Sequence, residues 1–229
     1  MSKVTALIPA AGMGKRMGKA IAKQFLPLGD KPMLAHTLLA FQRAAEIDEI
    51  IPILSEEDME GCLKDVIERY HITKVKTLVA GGKERQDSVH NGLRKVDADT
   101  TVVLVHDGVR PFVTHEMIKE TIDVAKKGES VTVGVPLKDT IKETDENGLV
   151  LKTLDRSRLW AIQTPQAFPA ALLKKVYEEA FKRKVFGTDD ATLVEKAGTR
   201  VRVIMGSYEN IKITTPEDLI LAEEILKRR

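Results

Sequence analysis

A single cysteine, Cys62, stands in a chain of 229 residues. One thiol can form neither an intrachain disulfide nor a cysteine-based metal site. Aromatic side chains make up only 4% of the sequence, and the charges nearly cancel: 36 Lys and Arg against 34 Asp and Glu, a formal net charge of +2. Nucleic-acid binders present a basic face interleaved with stacking side chains, so that class is disfavoured and any positive field must be local. No apolar run approaches the ~20 residues of a membrane span. The first apolar stretch, Val4 to Ile8, is too short for the hydrophobic region of a secretory signal. The chain has no internal repeat, low-complexity tract or linker-like segment. A soluble, cytoplasmic protein is expected, long enough for one large domain with a substantial core.

What the chain does have is concentrated at its start. Val4 to Ile8 reads as a buried strand. It breaks at Pro9 into a loop of small residues, Ala10, Ala11, Gly12, Gly14 and Gly18. Glycines let a backbone approach a ligand closely, and successive free N–H groups in such a loop hold phosphate oxygens. Lys15, Arg16, Lys19 and Lys23 place four cations within nine residues of it. The familiar glycine motifs do not fit. Gly12-x-Gly14-x-x-x-Gly18 misses the dinucleotide fingerprint by one residue. The Gly14 to Lys19 run is one residue short of a Walker A loop, with Ala20 where Ser or Thr should meet magnesium. The glycines alone describe a turn with solvated lysines; strand, loop and cations together point to a nucleoside triphosphate.

Further along, short Val- and Ile-rich runs at Ile50–Leu54, Val75–Ala80, Val102–His106 and Val131–Val135 alternate with helical spacings. These spacings are Leu34, Leu38, Phe41 and Ala45; Leu63, Val66, Ile67 and Tyr70; and Ile118, Ile122 and Ala125. Alternation of this kind predicts right-handed βαβ units and a mostly parallel sheet, with ligands at the carboxyl ends of the strands. Those ends are chemically suggestive. One leads into Gly81-Gly82-Lys83-Glu84-Arg85, another into His106-Asp107-Gly108-Val109-Arg110. One His beside one Asp is a poor metal signal, and His106 reads better as a strand-end hydrogen bonder.

The rhythm breaks at Pro136 to Leu159. Two polar segments, Lys138–Thr144 and Leu149–Leu154, flank Asn147-Gly148, a strong hairpin signal. A lone two-stranded hairpin is marginal in water, so it either lies on the sheet or docks on another subunit, the second being preferred. A helix over Leu172–Phe181, another starting at Thr188, a strand at Val201–Met205 and a short one at Ile211–Ile213 follow. Thr215-Pro216-Glu217-Asp218 is a helix start: Thr as cap, Pro in the first turn, acids near the positive dipole end.

Taken in order, these motifs are specific. Pro9-Ala10-Ala11-Gly12-x-Gly14-x-Arg16-Met17, then Lys23-Gln24, resembles the signature loop of the 2-C-methyl-D-erythritol 4-phosphate cytidylyltransferase family. G-G-x-E-R-x-D-S-V at 81–89, H-D-x-x-R-P at 106–111, Asp139-Thr140, Leu154-Asp155-Arg156, Gln163-Thr164-Pro165-Gln166, Thr188-Asp189 and Asn210-Ile211-Lys212-Ile213-Thr214 match in sequence order. The chain departs from the pattern at Val109 and Lys83. The resemblance implies a Rossmann-like α/β fold of nucleotidyltransferase type: a mostly parallel sheet with flanking helices and a protruding β-arm. It implies one domain over 1–229, with 137–158 as an arm exchanged in a homodimer. The implied reaction joins CTP and methylerythritol phosphate to give the cytidine diphosphate product and pyrophosphate, with Mg²⁺. The sister ribitol 5-phosphate cytidylyltransferases share the fold, but their loop reads L-A-G-G.

The same resemblance assigns roles. Arg16 and Lys23 stabilise the transition state, and Arg156 and Lys212 position the substrate phosphate. Gly12 and Gly14 hold the triphosphate, while Ala10, Ala11, Gly82 and Ser88 hold cytosine and ribose. Ser88 could equally cap the helix that follows, as could Asp87. Asp107 either contacts the sugar phosphate or lies near the metal, and Arg110 either binds substrate or pairs with Asp107. Thr140, Thr164 and Thr188 are candidates for the polyol or its phosphate, although Thr-Asp-Asp at 188–190 is also an ordinary helix start. A phosphate monoester has its second pKa near ~6 and is already a nucleophile at neutral pH. The reaction therefore needs positioning and fixed cations more than a general base.

Overall fold

The structure is a computed structural model that describes residues 2–12 and 22–229. Its elements run β1 (Lys3–Pro9), β2 (Pro27–Leu28), β3 (Lys31–Pro32), α1 (Met33–Arg43), β4 (Glu49–Leu54), α2 (Met59–Cys62), β5 (Val79–Ala80), α3 (Arg85–Leu93), β6 (Thr100–Val105) and α4 (His115–Ala125). They continue β7 (Ser130–Pro136), β8 (Lys142–Thr144), β9 (Val150–Thr153), β10 (Trp160–Pro169), α5 (Ala170–Arg183), α6 (Asp190–Lys196), β11 (Val201–Met205) and α7 (Pro216–Lys227).

Seven strands form one sheet in the order β11-β7-β10-β6-β1-β4-β5. β1 pairs parallel with β4 and β6, β4 with β5, and β7 with β11, while β10 runs antiparallel between β6 and β7. Strand β1 shows why the sheet must be covered on both faces. Val4, Ala6 and Ile8 point into a core shared with α1 and α4, and Leu7 points into a second core shared with α3 and α5. All four are fully buried. Continuous apolar strands of this kind fit a sheet with helices on both sides, and each such Leu or Ile contributes about 1.5–3 kcal/mol by leaving water. A smaller cluster, with Leu28, Met33, Phe112, Ile213 and Ala222, seats α7 against the β2–β3 hairpin.

Two expectations need correction, and one strand was not foreseen. The run Val75–Ala80 is not one strand: only Val79–Ala80 joins β4, with an isolated bridge from Val75 to Ile50. The segment Ile211–Ile213 is irregular, held by a bond from the Ile213 N–H to the Val109 carbonyl (3.0 Å). The antiparallel β10 has no counterpart in the sequence reading, because Gln163, Thr164 and Gln166 break the apolar pattern. Their burial is supported by hydrogen bonds. Gln166 Nε2 donates to Thr132 Oγ1 (3.0 Å) and Asp189 (2.7 Å), and its Oε1 accepts from Ala191 N–H (3.0 Å). Paired in this way, a polar side chain can sit in a central strand.

The hairpin forms as the Asn-Gly signal indicates. Gly148 takes φ +82, a conformation other residues avoid, and Asp145 Oδ1 accepts from the N–H groups of Asn147 and Leu149. β8 and β9 make a two-stranded sheet of their own and do not join the main one. Every residue in both strands is exposed, and Leu149, Val150 and Leu151 keep 58–67% of their surface in solvent.

Candidate active site

The strands deliver their loops to one edge of the sheet. Past the end of β1, the Ala10 N–H bonds the Ile53 carbonyl (2.7 Å). Past β5 the Gly81 N–H bonds the Leu54 carbonyl (2.7 Å), and past β6 the Gly108 N–H bonds the Pro9 carbonyl (3.1 Å). These bonds extend the sheet pairing into the loops and hold three of them side by side. The fit is tight: a Cβ on Gly81 would lie 2.4 Å from the Ala11 Cβ, and one on Gly82 would lie 2.3 Å from the Asp87 Cβ.

Two clefts open at this edge. The first, of about 170 Å³, is lined by Ala10, Ala11, Gly12, Lys23, Gly82 and Ser88 together with Arg85, Asp107 and Lys212. The second, of about 270 Å³, is lined by Arg110, Thr164 and Thr188, and again by Arg85, Asp107 and Lys212. The shared three form the wall between the clefts. The first cleft thus gathers the described residues expected to meet nucleotide, and the second gathers five of the seven expected to meet the acceptor: Asp107, Arg110, Thr164, Thr188 and Lys212. Thr140 and Arg156 line neither. Arg156 lies in a single turn at the base of the arm, where its Nη1 donates to the Lys138 carbonyl (2.6 Å). Gly14 and Arg16 lie outside the described residues.

Local hydrogen bonds resolve several alternatives. Helix α3 is capped by Glu84 and Asp87, the Asp87 carboxylate accepting from the Glu84 N–H (2.9 Å). Ser88 is therefore not the cap. Its Oγ accepts from the Gly82 N–H (3.0 Å) and donates to the Glu84 carbonyl (3.1 Å), tying the glycine turn to the helix. Helix α6 is capped by Asp189, so Thr188 is not its cap and lies in the second cleft.

Asp107 is the electrostatic centre. Its side chain is only 8% exposed and meets three cations: Arg85 Nε at 3.1 Å on Oδ1, and Lys212 Nζ at 2.9 Å and Arg110 Nε at 3.6 Å on Oδ2. Burial alone would push the carboxyl up. Arg85, then Lys212 and Arg110, outweigh it and hold Asp107 well below the usual carboxylate range. Arg110 is itself pinned by its Nη1 on the Asn210 carbonyl (2.8 Å). Next to Asp107, His106 is fully buried. Its Nε2 bonds the Arg110 carbonyl (3.0 Å) and its Nδ1 bonds Thr164 Oγ1 (3.0 Å), which also accepts from the Asp107 N–H (3.1 Å). Burial pushes the imidazole down to about 4, so at neutral pH it is an uncharged strut between two strands.

Residues 4–228 match the sequence profile of 2-C-methyl-D-erythritol 4-phosphate cytidylyltransferase. The chain belongs to that family. Over 228 residues it is 50% identical to the family's protein from Alkaliphilus metalliredigens, covering 100% of this chain and 95% of that one. Over 227 residues it is 52% identical to the one from Geotalea uraniireducens, covering 98% and 97%. Among solved structures it superimposes on the 4-diphosphocytidyl-2C-methyl-D-erythritol synthase of Anaerococcus prevotii with a TM-score of 0.88 at 37% identity, covering 99% and 97% of the two chains. On the Thermus thermophilus cytidylyltransferase the TM-score is 0.82 at 30% identity, covering 98% and 99%. For a cytidylyltransferase of this family, two adjoining clefts with a cationic wall between them are the geometry that a transfer between two polyanions requires.

Sequence reasoning missed Arg85, Asp190 and Tyr177 as parts of this site. Arg85 was visible inside the G-G-x-E-R motif without a role. Asp190 and Tyr177 carry no motif signal; only the packing of α5 and α6 brings them to Arg85.

Proposed function

We propose that the protein transfers CMP from CTP to 2-C-methyl-D-erythritol 4-phosphate and releases pyrophosphate. The observation that carries this reading is the shared wall: Asp107, Lys212 and Arg85 border both clefts. A nucleotide in the first cleft and a polyol phosphate in the second meet at that wall. The acceptor phosphate is largely dianionic at neutral pH and attacks the α-phosphate in line as pyrophosphate leaves. Such a reaction is driven by positioning and by fixed positive charge at the developing negative charge.

In this reading the backbone at Ala10 to Gly14 and at Gly82 receives the nucleotide, with Ser88 holding the Gly82 turn. Lys23, which lines the first cleft, and Arg16 stabilise the transition state. Lys212 faces the acceptor phosphate, and Arg110 acts mainly by fixing Asp107 and Asn210. Thr188 and Thr164 border the polyol. The exposed apolar arm around Leu149–Leu151 docks on a second copy and carries Thr140 and Arg156 into the partner's site, giving a cytoplasmic homodimer built from one domain and an exchanged arm.

Mg²⁺ is the implied ion. Among the described residues no group of three or more His, Cys, Asp or Glu is placed to hold a metal, and Asp107 commits both oxygens to cations. Those residues fit an ion that arrives on the triphosphate, the mode magnesium prefers. When bound there, it neutralises phosphate charge.

The test is pyrophosphate release from the purified protein with CTP, Mg²⁺ and methylerythritol phosphate. Ribitol 5-phosphate and the other three nucleotides are run in parallel. Release confined to CTP with methylerythritol phosphate is expected. Preference for ribitol 5-phosphate would overturn the acceptor assignment.

A further inference from the structure

Asp107 explains how Lys212 is held, and raises the question of what holds Asp107. Its Oδ1 is occupied by Arg85 Nε (3.1 Å), which leaves Oδ2 for the Lys212 ammonium (2.9 Å). Arg85 extends the other side of its guanidinium to Asp190, Nη2 to Oδ2 at 2.8 Å. Asp190 is fully buried in the first turn of α6 and takes the Tyr177 hydroxyl from α5 on its other oxygen. The chain of contacts therefore runs Tyr177, Asp190, Arg85, Asp107, Lys212. It begins in the core between α5 and α6 and ends at the wall between the clefts.

We infer that Arg85 is a positioning residue for the acceptor side of the reaction: anchored on Asp190 and Tyr177, it orients the Asp107 carboxylate so that Lys212 points at the acceptor phosphate. This deepens the proposed function and rests on its assignment of the second cleft. A guanidinium suits the task because its planar fork reaches two carboxylates at once in fixed geometry. A lysine ammonium is a single point charge on a flexible stem and cannot bridge Asp107 and Asp190 in the same way. Burial works against the charge on Arg85, but Asp190 and then Asp107 more than compensate, so it remains a cation throughout. Arg85, Arg110 and Lys212 are the cations of this network; of the carboxylates beside them, Asp189 at the edge of the second cleft is taken up by Gln166 and Thr192. Arg85 also borders the nucleotide cleft, but the Gly82 turn and the Ser88 bonds that hold it do not run through Arg85, so the acceptor should feel its loss far more than CTP.

The experiment compares wild type, Arg85→Lys and Tyr177→Phe in steady-state kinetics, with direct calorimetric binding of CTP and of methylerythritol phosphate. Misplacing a group by about 1 Å at such a distance from the chemistry lowers rates by as much as about 100-fold. Arg85→Lys is expected to lower kcat/KM for the acceptor by about that factor and to weaken acceptor binding, with CTP affinity within about threefold of wild type. Tyr177→Phe removes only the hydroxyl that anchors Asp190, at a residue that lines neither cleft. It is expected to lower the same acceptor parameter by a smaller factor while remaining folded by circular dichroism. Equal losses for CTP and acceptor would make Arg85 a structural element and overturn the inference, as would an Arg85→Lys enzyme with unchanged acceptor kinetics and binding. A wild-type protein that neither binds nor converts methylerythritol phosphate would overturn the functional reading and the inference with it. A wild type that binds the acceptor without turnover would overturn the reaction alone, and the binding comparison would still decide the role of Arg85.

Discussion

Replacing Asp107 by Asn keeps the side chain's shape and removes the one negative charge at the centre of three cations. Arg85 can still donate to the amide oxygen and keeps Asp190, but the amide NH₂ then faces Lys212 and Arg110, donor against donor. Removing one partner of a buried ion pair costs about 3–5 kcal/mol. The lower end applies here, because the Lys212 side chain is 39% exposed and its share is screened by solvent. At about 3 kcal/mol, and at about 2–4 °C per kcal/mol for a chain of this size, the melting temperature falls by about 6–12 °C at pH 7. The pH dependence fixes the cause. The folded Asp107 carboxyl lies below its ordinary value, which is ~3.9 in an unfolded chain. Its contribution is therefore complete above about pH 4 and is lost as pH falls toward the folded value. Thermal melts by circular dichroism should show a gap between wild type and Asp107→Asn that is constant from about pH 8 to pH 5 and closes below about pH 4. A gap under about 2 °C at pH 7, or one that persists unchanged to pH 2.5, would refute the reasoning.

His106 carries a second titration, in a different window. Its folded pKa of about 4 lies below the ordinary 6.5, so stability is lost as pH falls from about 6.5 toward 4, by at most about 3 kcal/mol. His36 and His90 are lowered by burial as well, so the measurement is the part of the acid slope that disappears in His106→Gln; an unchanged slope would exclude His106. Gly81→Ala should drive the β1 and β5 loops apart at the 2.4 Å contact with Ala11. It would destabilise by about 1–3 kcal/mol and weaken CTP binding by calorimetry, whereas wild-type affinity would show that the loops yield without consequence. Mixed dimers of Lys23→Ala and Arg156→Ala subunits should regain one intact site and measurable turnover after subunit exchange. Complete inactivity of the exchanged mixture would remove the arm from the catalytic site.

Much of the sheet was legible because periodicity is a local property. Val4–Ile8, Ile50–Leu54 and Val131–Val135 read as strands from their own residues, and the Thr215-Pro216 start of α7 from its capping chemistry, confirmed by the Asp218 N–H on Thr215 Oγ1 (3.3 Å). β10 was not legible. A strand that buries Gln163, Thr164 and Gln166 is stable only because Thr132, Asp189 and Ala191 stand opposite to bond Gln166, and those partners lie more than twenty residues away. The candidate site divides in the same way. Asp107 and Lys212 stood in motifs, but whether Arg110 pairs with Asp107, and whether Ser88 or Asp87 supports the α3 start, depended on side-chain geometry that no spacing reveals.

By itself, then, the sequence determined the family and the α/β class, because ordered motifs and strand periodicity are written residue by residue. Only the tertiary structure decided that Asp107, 105 positions before Lys212, holds its ammonium at 2.9 Å. Only the packing of α5 and α6 brought Tyr177 and Asp190 to Arg85. Electrostatic partnership falls off over a few ångströms of space, and distance along the chain carries no record of it.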